Sequence, residues 1–203
     1  WAGLDPGTGD PQIILNGKIS KDYSSIMSKL TEADLLYNGP AIPTHFGSFR
    51  NSFGIGHFSI GFNIVYKLGY YFRKPSIDYS ALFNNWIGNV DFKKRWVNPG
   101  DEHITQVPSM PPAGTSSTRD FVYTYSNILV EKGDNIRFQD INFSYEFDHD
   151  LYKWIPFKKT SLYGYINNIG FIWRANKDKI DPDYIYQPYP TPTTYSIGLK
   201  IQF

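Results

Sequence analysis

The chain has 203 residues and carries 20 Lys and Arg against 19 Asp and Glu, so its net charge of +1 gives no electrostatic case for a nucleic-acid partner. It contains no cysteine, which excludes a disulfide framework, a thiolate metal site and a cysteine nucleophile. No transmembrane helix is available: the mid-chain run without Lys, Arg, Asp or Glu, Asn51 to Tyr66, is interrupted by Ser52, His57, Ser59 and Asn63. The aromatic content of 18% beside a mean hydropathy of −0.39 is the unusual pair of numbers. A transmembrane β-barrel needs both, with an apolar outer band, a polar lumen and aromatic girdles at the two interfaces. The first residue is Trp1, with neither an initiator Met nor a basic-plus-apolar leader ahead of it, which reads as a processed chain or a piece of a longer one.

Residues 1–43 read as loop with one short helix. Asp5-Pro-Gly7, Gly9-Asp-Pro11 and Asn16-Gly17 are turn signals. Asp22 is placed to cap a helix over 23–30 with Tyr23, Ile26, Met27 and Leu30 on one face. From His45 the period becomes two. Phe49, Asn51, Phe53 and Ile55 alternate with Ser48, Arg50, Ser52 and Gly54, and Gly56-His57 makes a tight turn. The even positions from Phe58 to Phe72 are then all apolar, while Ser59, Gly61, Asn63, Lys67 and Arg73 lie among the odd ones. This predicts one strand over 58–73, long enough to cross a bilayer at a tilt.

Pro75 ends that strand, and about fifty residues of irregular, Pro- and Gly-containing sequence follow; loops of that length are usually functional. Strand character returns near Asn127. Ile141, Phe143, Tyr145 and Phe147 alternate with Asn142, Ser144 and Glu146, whereas Ile136 and Phe138 have the opposite parity, which predicts a bulge near Gln139. A turn over 148–159 leads to a fourth strand marked by Tyr163, Tyr165, Ile169, Phe171 and Trp173. After a Pro- and Tyr-rich loop over 177–192, the last strand sets Tyr195, Ile197, Leu199, Ile201 and Phe203 against Ser196, Gly198, Lys200 and Gln202. The fold class predicted is all-β: about five long antiparallel strands of a large transmembrane barrel. Barrels of this kind have short periplasmic turns and long outer loops. Counting back from Phe203, the long connections near 74–127 and 174–192 fall outside, and Gly56-His57 and 148–160 fall inside. Five strands do not close a barrel, so either the remainder lies in another chain or segment, or the membrane reading fails.

Several segments resemble one family in its own order. Trp1-Ala-Gly-Leu-Asp-Pro-Gly-Thr-Gly-Asp-Pro11, Gly39-Pro-Ala-Ile-Pro43 with Phe46-Gly-Ser-Phe-Arg-Asn51, and Phe58-Ser-Ile-Gly-Phe62 are similar to segments of SusC/RagA-type TonB-dependent outer-membrane transporters. So are Arg95-Trp96, Pro99-Gly-Asp-Glu102, Val107-Pro108, the stretch Val130 to Tyr145, and Pro192 to Phe203. Thr193, where the family often has Arg, and Asn168-Ile-Gly-Phe171 depart from its pattern.

The resemblance covers the C-terminal part of the family's barrel, with 1–44 as an extracellular loop region and 45–203 as barrel strands and outer loops. It implies a bacterial outer-membrane importer of oligosaccharides or peptides, not an enzyme. Such barrels have about 22 strands around a plugged lumen. The implied partners are the remaining barrel and plug, TonB through the N-terminal part, a SusD-like surface lipoprotein, outer-membrane lipid and the barrel-assembly machinery, with no nucleic acid and no cofactor. A scaffold role in a larger outer-membrane complex, or a β-sandwich binding module in water, are the alternatives.

The side chains suggest no reaction chemistry. No Gly-x-Ser-x-Gly, His-Glu-x-x-His or phosphate-loop sequence occurs. Asp101-Glu-His103 and Asp148-His-Asp150 read as solvated loop rather than metal sites, because hard cations need six or more oxygen ligands. Asp181 and Asp183 have the residue types of a glycosidase pair without any demonstrated spacing. Arg50, Asn63, Lys67, Arg73 and Lys200 are the weak lumen-lining candidates for substrate binding, and polar residues are needed there simply to face water. Tyr195, Leu199, Ile201 and Phe203 carry the terminal aromatic pattern that barrel-assembly machinery reads, with Gly198 leaving the lumen side open.

Overall fold

The computed structural model describes residues 1–203 apart from Ala113, Ser116, 149–151 and 186–188. His149 and Asp150 of the second candidate acid–histidine group therefore lie outside the described residues. The chain divides into two compact units: Trp1–Asn38 with Arg73–Glu131, and Gly39–Phe72 with Lys132–Phe203.

The second unit is a five-stranded antiparallel sheet of β4 (His45–Ile55), β5 (Phe58–Leu68), β8 (Asn135–Asp148), β9 (Lys159–Arg174) and β10 (Thr194–Gln202), in the order β10-β9-β8-β5-β4. The class is all-β, as the alternation predicts. The Gly56-His57 turn joins β4 to β5, with Ile55 opposite Phe58. The bulge falls where parity requires: Asn63 pairs with Asp140 and Ile64 with Phe138, so Gln139 has no opposite number on β5. β9 carries a second irregularity over Asn168–Ile169, and Thr194–Gln202 pairs with Lys159–Asn167 without a shift.

Three expectations need correction. The strand from Phe58 does not reach Arg73: it stops at Leu68 and resumes as the short β6 (Tyr71–Arg73), which pairs with β7 (Val130–Lys132). Gly69 adopts φ +75°, a left-handed conformation that breaks the pleat at little cost only in glycine. The Asp134 carboxylate accepts from the N–H of Gly69 at 2.7 Å and of Tyr70 at 3.4 Å, holding the break. The polar side of Gly198 is not open either. The Tyr163 ring covers it, and a Cβ there would come within 2.2 Å of Tyr163 Cζ.

The third correction is the first unit, which is not irregular loop. Residues 1–20 form a small three-stranded sheet, β1 (Gly3–Leu4), β2 (Pro11–Leu15) and β3 (Lys18–Ser20). Asn16 and Gly17, at φ 51° and 75°, make the two-residue turn between β2 and β3 that suits the right-handed twist of a hairpin. Helix α1 (Tyr23–Lys29) follows with its cap as predicted: the Asp22 side chain accepts from Ser25 N at 3.1 Å. Of its predicted apolar face, Ile26 is buried while Met27 and Leu30 are exposed. Residues 74–127 contain α2 (Tyr79–Asn85), α3 (Ser117–Thr124) and short 3₁₀ turns. Their core is Ile77, Tyr79, Val107, Tyr123 and Leu129, with Leu15, Ile26 and Val122 forming a second cluster. Arg119 is buried between them, donating from Nε to Asp10 Oδ1 at 2.7 Å and from Nη2 to Ser109 O at 2.9 Å.

The two faces of the large sheet are sorted by polarity, and the buried side chains at its centre are polar. Cross-strand rows such as Phe53–Ile60–Phe143–Gly164–Ile197 and Ile55–Phe58–Tyr145–Leu162–Leu199 make one face apolar across all five strands. Phe143 and Leu162 lie on interior strands and are still 38% and 41% exposed, while Ile197 reaches 82%. On the other face Asn135, Asp140, Asn63 and Arg137 are only 2%, 4%, 7% and 7% exposed. Leaving about ten large apolar side chains half in water forgoes on the order of 10 kcal/mol of burial, comparable with the net stability of a typical domain.

Candidate functional site on the polar face of the sheet

The polar face is assembled by register. Arg50 stands opposite Asn63, which stands opposite Asp140, so the three form one cross-strand row on β4, β5 and β8. Asn63 Nδ2 donates to Asp140 Oδ2 at 3.1 Å, leaving its own Oδ1 without a partner among the described residues. Arg50 Nη2 reaches the same carboxylate oxygen at 4.0 Å with its side chain 73% exposed, so Asp140 ties down the buried Asn63 while Arg50 stays largely free.

Lys67 lies further along β5, level with Asn135. Its Nζ donates to Asp183 Oδ1 at 2.7 Å. Beside it Arg137 makes a forked contact, Nη1 to Asn168 Oδ1 at 3.1 Å and Nη2 to Asp181 Oδ2 at 2.6 Å, and its guanidinium lies 4.1 Å from the centre of the Phe171 ring. Asp183 is a second anion for it at 3.7 Å. Tyr70 accepts from Asn135 Nδ2 at 2.9 Å; burial, reinforced by the nearby Asp183 carboxylate, pushes its phenol up to about 12. Two cations and two carboxylates therefore meet at the end of this face remote from the Gly56-His57 turn.

Of the lumen candidates, Arg50, Asn63 and Lys67 share this face, as their alternation requires. Lys200 shares it at the opposite end, in the row Glu146–Ser161–Lys200, where Lys159 Nζ meets Glu146 Oε2 at 2.8 Å. Arg73 does not belong to it. It falls in the first unit, donating to Ser126 O at 2.5 Å and lying 5.5 Å from the Tyr125 ring centre, because Gly69 ends the strand that would have carried it. Arg137 and Asp140 were missed, and Asp181 and Asp183 were noted only as a carboxylate pair. The first two could have been found by carrying parity through the Gln139 bulge. The pairing of Asp181 and Asp183 with Lys67 and Arg137 gives no such signal, since these partners are far apart in sequence.

The Asp101-Glu-His103 group folds its own loop. Asp101 Oδ2 accepts from Val97 N and Asn98 N, both at 2.9 Å, and Glu102 Oε2 accepts from Trp96 Nε1 at 3.0 Å. These bonds lower both carboxyl pKa values, with the backbone N–H groups leading at Asp101 and the Trp96 indole at Glu102.

No protein-family model matches this sequence, and no curated protein does. Solved structures do. A chain of the RagAB peptide importer in its "open-open" state shares the fold over 100% of this chain, with a TM-score of 0.65 and 14% identity. A chain of the RagAB peptide transporter gives 0.65 and 15%, and one of the importer in its "closed-closed" state gives 0.66 and 14%. At such identity the shared property is the fold, and this chain spans only 21–22% of the length of those chains.

Proposed function

We propose that this chain supplies C-terminal strands of a transmembrane barrel in the bacterial outer membrane, as part of a SusC/RagA-type TonB-dependent importer of oligosaccharides or peptides. The observation that carries the reading is the sorting of the sheet: one face is apolar across all five strands and lies uncovered, while Asn63, Asn135, Arg137 and Asp140 are buried at the centre of the polar face, the arrangement that lipid outside and water inside require. The family-like segments from Trp1 to Phe203 and the likeness to RagAB chains support it.

Dimensions agree. From Phe58 to Tyr66 the strand rises about 26 Å at ~3.3 Å per residue, or about 20 Å across the bilayer at the usual ~40° tilt, close to the apolar band of roughly 25 Å in such barrels. Tyr66 and Trp173 flank one end of the apolar face, in one row with Ile136, and Tyr145 and Phe147 the other, as girdles do. The β-sandwich alternative would need that face covered.

On this reading β4 and β10 pair with strands of the remaining barrel, since an open edge in hydrocarbon is prohibitively costly. A plug, TonB and a SusD-like lipoprotein act with the complete protein. Phe203, whose ring packs edge-on against Phe157 at 5.2 Å, belongs to the aromatic pattern that barrel-assembly machinery reads. Impermeant maleimide on intact cells tests the placement. Asn98→Cys and Lys177→Cys in the complete protein should label from outside and Lys153→Cys should not; the reverse pattern overturns the topology. Loss of growth on one glycan or peptide source when the gene is deleted distinguishes import from a scaffold role.

A further inference from the structure

The segment after β9 doubles back over the polar face. Asn176, buried, brackets Ile180 with both amide atoms, accepting from its N–H at 2.8 Å and donating to its carbonyl at 3.0 Å. Arg174 donates to the Lys179 carbonyl oxygen at 2.5 Å. Asp183 N donates to Asp181 Oδ1 at 3.1 Å, so the two carboxylates are presented together from one short turn. They meet Arg137, whose side chain is 9% exposed, and Lys67, which is 33% exposed.

The receiving side belongs to the sheet. Arg137 cannot shed its charge to escape burial, since a guanidinium remains protonated at any accessible pH. Its planar fork, stacked on Phe171 and steered by Asn168 Oδ1, matches the geometry of a carboxylate. Lys67 adds a point charge alongside. Nothing in this receptor is particular to an aspartate side chain; what distinguishes Asp181 and Asp183 is that the chain tethers them there. A tethered ligand of this kind competes at an effective concentration in the millimolar range, within reach of a solute that makes other contacts along the same face.

We propose that Lys67 and Arg137 form a carboxylate-binding site, that Asp181 and Asp183 occupy it as internal surrogates, and that a solute bearing a free carboxylate displaces the segment 176–183. The inference rests on reading this face as the solute path. Exchange begins at the more exposed Lys67–Asp183 pair and ends at Arg137. The carboxylate can be a peptide terminus or a uronic acid; both present the same two oxygens.

The test uses the complete protein, purified in detergent, with a nitroxide on Lys177→Cys, an exposed position of the segment. Acetyl-trialanine is titrated against its carboxamide, and trigalacturonate against its methyl ester. At least one acid should mobilise the label at a concentration ten-fold or more below that of its neutral counterpart, and which acid does so identifies the source. Asp183→Asn should lower that concentration several-fold, and Arg137→Gln should abolish the preference for the acid. If Arg137→Gln does not assemble, Lys67→Gln must shrink the preference instead. Equal effects of acids and neutral forms, or a label unmoved by any of them at saturation, overturn the proposal. The readout is local motion in purified protein. Failure of import or of TonB dependence would leave it intact, whereas loss of acid preference in a protein that still imports removes the carboxylate site alone.

Discussion

The two units of this chain solve opposite burial problems. In the unit built from Trp1–Asn38 and Arg73–Glu131, Ile77, Tyr79, Val122 and Leu129 are buried, and the one enclosed guanidinium, Arg119, is met by Asp10 and Ser109. That is the ordinary economy of a domain in water. In the sheet unit Asn63, Asn135, Arg137 and Asp140 are buried and Phe143, Leu162 and Ile197 are exposed. Aromatic side chains serve both. What separates the units is periodicity: strands of 9 to 16 residues in the sheet that alternate apart from a few register shifts, against helices of 7 or 8 residues and short turns elsewhere. The lesson is that period and burial together, rather than hydrophobicity, tell the two units apart.

The sharpest way to break this contrast is a charge on each face of one strand. On the proposed placement Phe62 lies mid-band, and it sits within 5.9–6.3 Å of the rings of Phe49, Phe53 and Phe138. Phe62→Arg should cost about 2–4 kcal/mol of stability in the complete protein, as charges at the lipid midplane do. Asn63→Ala, one residue on, should cost about 1 kcal/mol, the scale of one hydrogen bond. Denaturant unfolding from lipid vesicles measures both, and equal costs would mean the faces are misassigned.

The first unit should fail by a different route. Arg119→Ala should weaken it by about 2–3 kcal/mol, less than for a fully enclosed pair because Asp10 remains 27% exposed. Amide exchange should accelerate across α3 and β2 while β5 and β8 keep their protection; acceleration in all four would mean the units share one cooperative core.

The smallest effect expected is a pH dependence. Burial raises the Asp120 carboxyl above its ordinary value, and the Ser80 N–H that bonds it at 2.8 Å only partly opposes this. A raised pKa in the folded state makes the group's contribution full below about 3.9, the unfolded value, and lost as pH rises through the folded one. The stability of wild type relative to Asp120→Asn should therefore fall as pH rises from acid toward neutral. Asp5 and Asp101, whose pKa values are lowered by hydrogen bonds, act in the opposite sense and cancel in that difference. A difference that grows with pH would place Asp120 in a stabilising ion pair instead.

The sheet was legible because alternation with period two leaves little choice of face. Even the Gln139 bulge showed as a parity change between Phe138 and Ile141. Arg50, Asn63 and Lys67 followed from the same count. Arg73 did not, because Gly69 broke the period and a glycine in a strand reads equally well as continuous pleat. The first unit was legible only at the Asp22-capped helix and the Asn16-Gly17 turn, for the complementary reason. Its elements are too short for a period to emerge, and its order comes from non-local bonds such as Arg119 to Asp10 and Tyr79 Oη to the Pro108 carbonyl, whose partners are far apart in sequence. Only Asn16-Gly17, between Ile13-Ile14-Leu15 and Lys18-Ile19-Ser20, carried a local hairpin signal. The fold of 176–183 onto Lys67 and Arg137 likewise depends on charges that meet only in space.

The central claim is the sidedness of the large sheet. Single nitroxides placed in turn from Phe58 to Leu68 of the complete protein, reconstituted in bilayers, measure it directly through relaxation by oxygen, which partitions into lipid, and by a water-soluble nickel chelate. Even positions should be relaxed by oxygen and odd positions by nickel, with the oxygen maximum near Phe62. Equal relaxation at Phe62 and Asn63, or nickel relaxing the even positions, would contradict it.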